Sequence, residues 1–232
     1  MRIILVHGAW HGAWCWDAVA QLLRDAGHTV ETPTLKGVGE RAGELDASVD
    51  LNTHIDQLAG MLKADAPALL VGHSYGGAVT LGAADRVPDG VTALVQLDAQ
   101  QPEPGTTLFD LVPEEARDRR RAEAAASRGG LTFSPGDISK LGLSEELTAE
   151  IAPKLTPHPV QTYETPLTLM HPIGAGKPCT YIACTDPPYA PLATHRHRAA
   201  ALGWPVIELT TGHDAMLSAP AEVAALIHKS TR

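Results

Sequence analysis

The sequence is poor in cysteine, in long apolar runs and in positive charge. Its 232 residues contain three cysteines, an odd number without the spacing of a metal site, which suits a reducing cytoplasm. No apolar run approaches the ~20 residues that span a bilayer, and the run after Met1 is too short for a signal peptide. The formal net charge of -9 argues against nucleic acid or anionic membrane as a partner. We therefore expect a cytoplasmic protein that binds neither.

Short apolar runs alternate with amphipathic helical patterns along most of the chain. Residues 3–6 form the first run, which is rich in β-branched side chains and ends at a His-Gly pair. Strands that alternate with helices through short loops form a parallel sheet that is covered on both faces. The pattern predicts an α/β fold with a mostly parallel sheet of about six strands and helices on both faces.

The alternation is interrupted between residues 100 and 172. Prolines, an Arg/Glu/Ala-rich helical segment near 114–127 and a Gly-Gly pair replace the strand–helix pattern there. We predict that residues 1–99 and 173–232 form the core of the fold. Residues 100–172 are predicted to form a small helical lid over one end of the sheet.

The clearest chemical motif is Gly-x-Ser-x-Gly, formed by Gly72, Ser74 and Gly76. An apolar run precedes it and a helical pattern of small residues follows it. A strand that turns directly into a helix strains the middle residue, and only glycine fits two positions before and after it. This turn exposes the serine hydroxyl at the carboxyl end of a sheet, as in the nucleophile elbow of α/β-hydrolases. Ser74 is therefore the predicted nucleophile.

A serine hydroxyl needs a base, and the base needs an acid that orients it. His213 follows the last predicted strand and precedes the last helix, which is the position of the base in hydrolases with this elbow. Two aspartates follow predicted strands before His213. Asp186 comes after the strand at 181–184 and is preferred, whereas Asp98 ends the strand that follows the nucleophile helix and is the alternative.

Two backbone N–H groups must stabilise the negative charge that develops on an attacked carbonyl. The amide of Tyr75, directly after the nucleophile, is one expected donor. The second is expected from the loop after the first strand, where Ala9 is best placed. No zinc or nucleotide motif is found, so neither a metal nor a cofactor is expected.

Three segments together resemble one known family. They are the stretch VHGAWHGAWCW at 6–16, the elbow at 72–77 and the stretch GHDAM at 212–216. They resemble the hydroxynitrile lyase and plant methylesterase branch of the α/β-hydrolases, which also contains bacterial esterases. The resemblance implies an α/β-hydrolase fold and favours the later aspartate as the acid. It implies the following site residues: a triad of Ser74, Asp186 and His213, and an oxyanion hole of Ala9 and Tyr75.

Two positions distinguish lyases from esterases within this branch. The lyases that release cyanide have threonine or asparagine where Gly8 stands, and those with the threonine have lysine where Asp214 stands. Gly8 has no hydroxyl to hold a cyanohydrin oxygen, and a negative Asp214 would repel cyanide. The resemblance therefore favours an esterase.

We expect a serine carboxylic-ester hydrolase that acts on a small to medium, fairly apolar ester, with a methyl ester or lactone among the candidates. The alternatives are a hydroxynitrile lyase-like C–C lyase and a non-hydrolytic ligand-binding or biosynthetic homologue. The partner is a small-molecule ester, and both a monomer and a homodimer remain open. The candidates for the mouth of the pocket are Trp10, Phe109, Leu111, Phe133 and Met216.

Overall fold

The computed structural model describes residues 1–231, so Arg232, the last residue of the predicted core, lies outside the described residues. The strands are β1 (Arg2–Val6), β2 (Thr29–Glu31), β3 (Ala68–His73), β4 (Val91–Leu97), β5 (Thr132–Phe133), β6 (His158–Pro159), β7 (Cys179–Cys184) and β8 (Val206–Leu209). The helices are α1 (Asp17–Asp25), α2 (Leu51–Ala64), α3 (Gly76–Arg86), α4 (Glu114–Ala126), α5 (Glu145–Ile151), α6 (Gln161–Glu164), α7 (Ala193–Ala201), α8 (Ala215–Ser218) and α9 (Pro220–Lys229).

Six of the strands form one sheet in the order β2-β1-β3-β4-β7-β8. Every neighbouring pair in this sheet is parallel. The predicted mostly parallel sheet of about six strands is confirmed. Because β1 and β3 lie inside the sheet, all of their residues are buried, as expected for continuous apolar runs.

Each face of the sheet has its own apolar core. Ile4 and Val6 of β1 pack in the core beneath α2 and α3, whereas Ile3 and Leu5 pack in the core beneath α1 and α9. This division follows from the strand geometry, since successive side chains point to opposite faces. The prediction of helices on both faces is confirmed.

The chain between β4 and β7 contributes no strand to the main sheet. It contains α4, α5 and α6, and it contains the short antiparallel pair of β5 and β6. Each of these two strands has only two residues, which is too short for an alternating pattern to reveal it. The division into a core and a lid with bounds at 100 and 172 remains a prediction.

No helix within residues 1–231 combines the length and the apolar character needed to cross a membrane.

Candidate active site

Ser74 lies in the sharp turn between β3 and α3. Its backbone has a φ of 51°, in the left-handed region that residues other than glycine rarely adopt. The turn is confined to Ser74 and Tyr75, because β3 ends at His73 and α3 begins at Gly76. The predicted strand–turn–helix elbow is therefore present, with the strained residue at its centre.

The two glycines of the motif are required by close backbone contacts. A Cβ atom on Gly72 would lie 2.6 Å from the Gly76 carbonyl oxygen, and one on Gly76 would lie 2.6 Å from the Val6 carbonyl oxygen. Backbone atoms cannot rotate away as a side-chain tip can. The start of α3 thus packs directly against the end of β1, which confirms the steric role predicted for both glycines.

His213 lies in the loop between β8 and α8 and is paired with Asp98. Its Nδ1 atom is 2.7 Å from Asp98 Oδ2, and both side chains are almost completely buried. The second carboxylate oxygen of Asp98 accepts a hydrogen bond of 3.4 Å from the backbone N–H of Cys184. The carboxylate is thus held between β7 and the imidazole, the arrangement that orients a catalytic histidine.

Asp186 does not occupy the position predicted for it. Its side chain is exposed, and the ring nitrogen that it was expected to contact is bonded to Asp98. Asp98 directly follows the last residue of β4, whereas Asp186 lies two residues beyond the end of β7. The prediction of Asp186 as the partner of His213 is wrong, and the alternative aspartate takes that position.

Ser74 and His213 line one small cavity. Its volume is about 10 Å³, which is room for roughly one water molecule. The lining residues are Gly8, Ala9, Trp10, His11, His73, Ser74, Leu141, His213 and Asp214. Leu141 belongs to the segment between β4 and β7, so this segment contributes to the wall of the cavity.

The amides of Ala9 and Tyr75 lie in the loops that flank Ser74. Ala9 lines the cavity with the serine, and Tyr75 is the residue that caps α3. Within residues 1–231 neither amide N–H has a hydrogen-bond acceptor. Two free donors beside a serine match what an oxyanion hole requires, and their role remains a prediction.

Comparison with known proteins identifies the family. Residues 3–226 match the family model described as the alpha/beta hydrolase family. The chain belongs to the α/β hydrolase family. It is 38% identical to the carbendazim hydrolyzing esterase of Nocardioides sp. (strain SG-4G) over 240 residues, which cover 96% of each chain.

Two further relatives agree with this assignment. The chain is 34% identical to methyl jasmonate esterase 1 of Vitis vinifera over 165 residues, which cover 63% of each protein. An extracellular α/β-hydrolase from a Paenibacillus species, described as homologous in structure and function to tobacco salicylic acid binding protein 2, superposes with a TM-score of 0.87. That structure has 26% identity, and the match covers 99% of this chain and 98% of the other. This α/β hydrolase is of the esterase type.

Asp214, the residue after His213, forms a buried ion pair with His11 that the sequence analysis did not predict. The Asp214 side chain is fully buried, with Oδ2 3.3 Å from His11 Nε2 and Oδ1 3.7 Å from His73 Nε2. Burial by itself would raise the pKa of Asp214, but attraction to His11 outweighs it and lowers the pKa to about 2. The pKa of His11 is raised in turn, because Asp214 and the Ala9 carbonyl outweigh its burial. Asp214 therefore forms a buried pair with His11.

This pairing removes one of the two arguments against a lyase. The carboxylate of Asp214 does not present a free negative charge to the cavity, since His11 compensates it. The argument from Gly8 stands. A Cβ atom on Gly8 would lie 2.9 Å from His73 Nδ1 and 3.0 Å from Ser74 Cβ, so a larger residue would crowd the nucleophile.

His73 supports the loop that carries His213. Its Nε2 atom is 3.0 Å from the His213 carbonyl oxygen, to which it donates a hydrogen bond. Among residues 1–231, His73, His213 and Asp214 form a group whose potential metal-ligand atoms lie within 4.8 Å of one another. His73 donates to the His213 carbonyl, and Asp214 faces His11 at 3.3 Å without a hydrogen bond of good geometry. We therefore interpret His73 and Asp214 as structural support for His213.

The apolar residues predicted at the pocket mouth divide into two groups. Trp10 lines the cavity and contacts Phe133 edge-on, with ring centroids 5.8 Å apart, and Phe109 contacts Phe133 at 6.2 Å. Leu111 is partly buried against the same core. Met216 is fully buried in the core on the other face of the sheet, so its placement at the mouth is wrong.

A larger cavity of about 330 Å³ lies on the other side of the His213–Asp98 pair. Asp98 and Tyr189 contribute to its lining, and Ser74 does not. The ring of Tyr189 stacks on His213 with centroids 4.5 Å apart, so it separates this cavity from the serine.

We expect Gly76→Ala to destabilise the protein, because its Cβ atom would collide with backbone carbonyls of β1. Overpacking of this kind costs about 1–3 kcal/mol in free energy of unfolding. The matched control is Gly60→Ala on the exposed face of α2, where no atom lies within 4 Å of the new Cβ. That change should stabilise the protein by about 0.4–1 kcal/mol. Urea unfolding measures the free energy of unfolding of both variants. If Gly76→Ala proves as stable as Gly60→Ala, the steric argument is wrong.

We expect Asp214→Asn to lower the free energy of unfolding by about 3–5 kcal/mol near pH 6, because it leaves His11 buried without its partner. The folded-state pKa of Asp214 is depressed from 3.8 to about 2. The contribution of its charge to the free energy of unfolding is therefore present above pH 3.8 and is lost as the pH falls toward 2. The pKa of His11 is raised from 6.5, so its contribution is complete below pH 6.5 and is lost as the pH rises through the raised value.

The measurement is urea unfolding of wild type and Asp214→Asn across this pH range. The difference in free energy of unfolding between the two proteins should shrink at both the acidic and the alkaline end of this range. Asp89→Asn, at an exposed aspartate, is the control and should change stability little at any pH. A difference for Asp214→Asn that does not vary with pH would disprove the ion pair.

Proposed function

We propose that this α/β hydrolase cleaves carboxylic esters by acyl transfer through Ser74, His213 and Asp98. The observation that carries the proposal is the 2.7 Å contact between His213 and Asp98 at the cavity that Ser74 lines. His213 takes the proton of the Ser74 hydroxyl as the oxygen attacks the ester carbonyl. Asp98 holds the Nδ1–H of the imidazole and stabilises the imidazolium that forms.

The amides of Ala9 and Tyr75 stabilise the oxyanion of the tetrahedral intermediate. Neither N–H has another acceptor within the described residues, so neither must break a hydrogen bond to serve. Loss of one such donor costs about 3 kcal/mol of transition-state stabilisation in related chemistry. The alcohol then leaves with the proton from His213, and water hydrolyses the acyl-enzyme through the same residues.

We infer a small to medium, fairly apolar ester as the substrate, with methyl esters and lactones among the candidates. Trp10 lines the cavity with Ser74, and the fully buried rings of Phe109 and Phe133 lie behind it, which supports an apolar surface for the substrate. A relative named for methyl jasmonate supports a methyl ester. Because the cavity at Ser74 holds about one water, we infer that its lining residues, Leu141 among them, move apart when an ester binds.

We also infer a cytoplasmic location. Cys15, Cys179 and Cys184 are buried free thiols, which suits a reducing compartment.

Ser74→Ala should lower the hydrolysis of short-chain p-nitrophenyl esters by a factor of at least about 10³, because the acyl-enzyme can no longer form. The assay uses esters of graded acyl length and labelling with a fluorophosphonate that reacts with activated serines. Ser134→Ala, at an exposed serine, is the control and should retain activity and labelling. Unchanged turnover in Ser74→Ala would refute the proposal, as would faster release of cyanide from mandelonitrile than hydrolysis of any ester.

Asp98→Asn should lower kcat by a factor of about 10³–10⁴, because an amide cannot stabilise the imidazolium or select the required tautomer. Asp186→Asn is the matched control at the other strand end and should retain kcat within about a factor of three, since its side chain is exposed. Steady-state kinetics on one p-nitrophenyl ester compares the two. The reverse ranking would assign the acid to Asp186.

A further inference from the structure

Arg120 lies over three aromatic rings, those of Trp10, Phe133 and Tyr163, which we call the aromatic wall. It projects from α4, and its guanidinium carbon lies 5.3 Å from the ring centroid of Phe133, 5.6 Å from that of Tyr163 and 5.8 Å from that of Trp10. The side chain is partly buried. A guanidinium at this distance from three rings is held by cation–π attraction.

Arg120 differs from the other arginines of its helix in having no acidic partner within residues 1–231. Arg117 lies 3.7 Å from Glu114, Arg119 lies 3.9 Å from Glu123, and Arg121 lies 2.7 Å from Glu164. No carboxylate or hydrogen-bond acceptor of the described chain meets Arg120. Its five N–H donors are therefore left to solvent or to a ligand.

The rings beneath Arg120 continue to the nucleophile. Trp10 lines the cavity together with Ser74. The positive charge of Arg120 also reaches Tyr189, where it opposes the rise in pKa that burial causes. The ring of Tyr189 in turn stacks on His213.

Two further donors around these rings have no acceptor. The indole Nε1 of Trp10 and the Nε2 of His158 are buried without a hydrogen-bond partner in the described chain. His158 is neutral, because burial keeps its pKa well below the usual range, and its Nδ1 accepts a hydrogen bond from the Trp10 backbone. The proton of the ring is therefore on Nε2. Within the described residues, the rings under Arg120 are thus bordered by buried donors of Trp10 and His158 that have no acceptor.

We propose that Arg120 is a specificity-determining residue that binds a free carboxylate of the substrate, so that the preferred esters are half-esters of dicarboxylic acids. This inference rests on the proposed function. Trp10, which is partly exposed and lines the cavity, packs against the apolar chain of such a substrate, and the guanidinium forms a bidentate pair with the carboxylate at its far end. Hydrolysis releases the alcohol and the dicarboxylate.

The test compares two substrates that differ only in charge. Monomethyl adipate carries the free carboxylate, and the corresponding methyl ester amide replaces it with a neutral group of the same shape. Methanol release gives kcat/KM for each. We expect the wild type to prefer the acid by about 10–100-fold, the range expected for hydrogen bonds to a charged group. This preference should fall steeply with added salt.

Arg120→Gln should reduce the ratio of kcat/KM for the acid to kcat/KM for the amide to about one. Arg120→Lys, which keeps the charge without the planar guanidinium, should give an intermediate ratio. Arg119→Gln, an exposed arginine on the same helix, is the matched control and should leave the ratio unchanged. A wild-type ratio of one or less overturns the inference, as does a ratio that Arg120→Gln does not change. If Ser74-dependent hydrolysis of p-nitrophenyl esters persists in that case, the proposed function stands; if no ester is hydrolysed, both fall.

Discussion

The contact between Gly76 and the end of β1 is the constraint on which the whole site depends. Because a Cβ atom on Gly76 would lie 2.6 Å from the Val6 carbonyl oxygen, α3 begins directly against the strand. This closeness keeps Ser74 at a left-handed φ of 51°. It also brings the loop after β1 beside the serine, since a Cβ atom on Gly8 would be 3.0 Å from Ser74 Cβ. One backbone contact thus places Ser74 and the Ala9 amide together.

Beneath this turn lies a layer of buried imidazoles, most of which burial keeps neutral. The pKa of His7 is lowered to about 3 and that of His54 to about 4. As neutral rings they link backbone segments: His7 accepts a hydrogen bond from the Leu35 amide, and His54 contacts the Tyr75 hydroxyl at 2.8 Å. His11 differs, because Asp214 favours its charged form. The charge below the catalytic loop is therefore concentrated in one pair.

The groups that we propose for the chemistry and those that we propose to meet the substrate come from different parts of the chain. Ser74, His213 and Asp98 follow strands of the parallel sheet, whose carboxyl ends meet at one edge. Arg120 and Leu141 come from the segment between β4 and β7. If the proposed roles hold, substitutions in that segment change the choice of ester without moving Ser74, His213 and Asp98, because the sheet holds these three residues in place.

The sequence alone determined the parallel sheet, the elbow at Ser74 and the loop position of His213. These depend on apolar periodicity and glycine sterics, which act over a few neighbouring residues. It could not determine the acid, because Asp98 and Asp186 both follow strands, and only the packing of β4 between β3 and β7 decides which carboxylate reaches His213. It could not show either that the negative charge of Asp214 is balanced by a buried histidine. The partner, His11, is some 200 positions away in the chain, and distant segments meet only when the sheet forms.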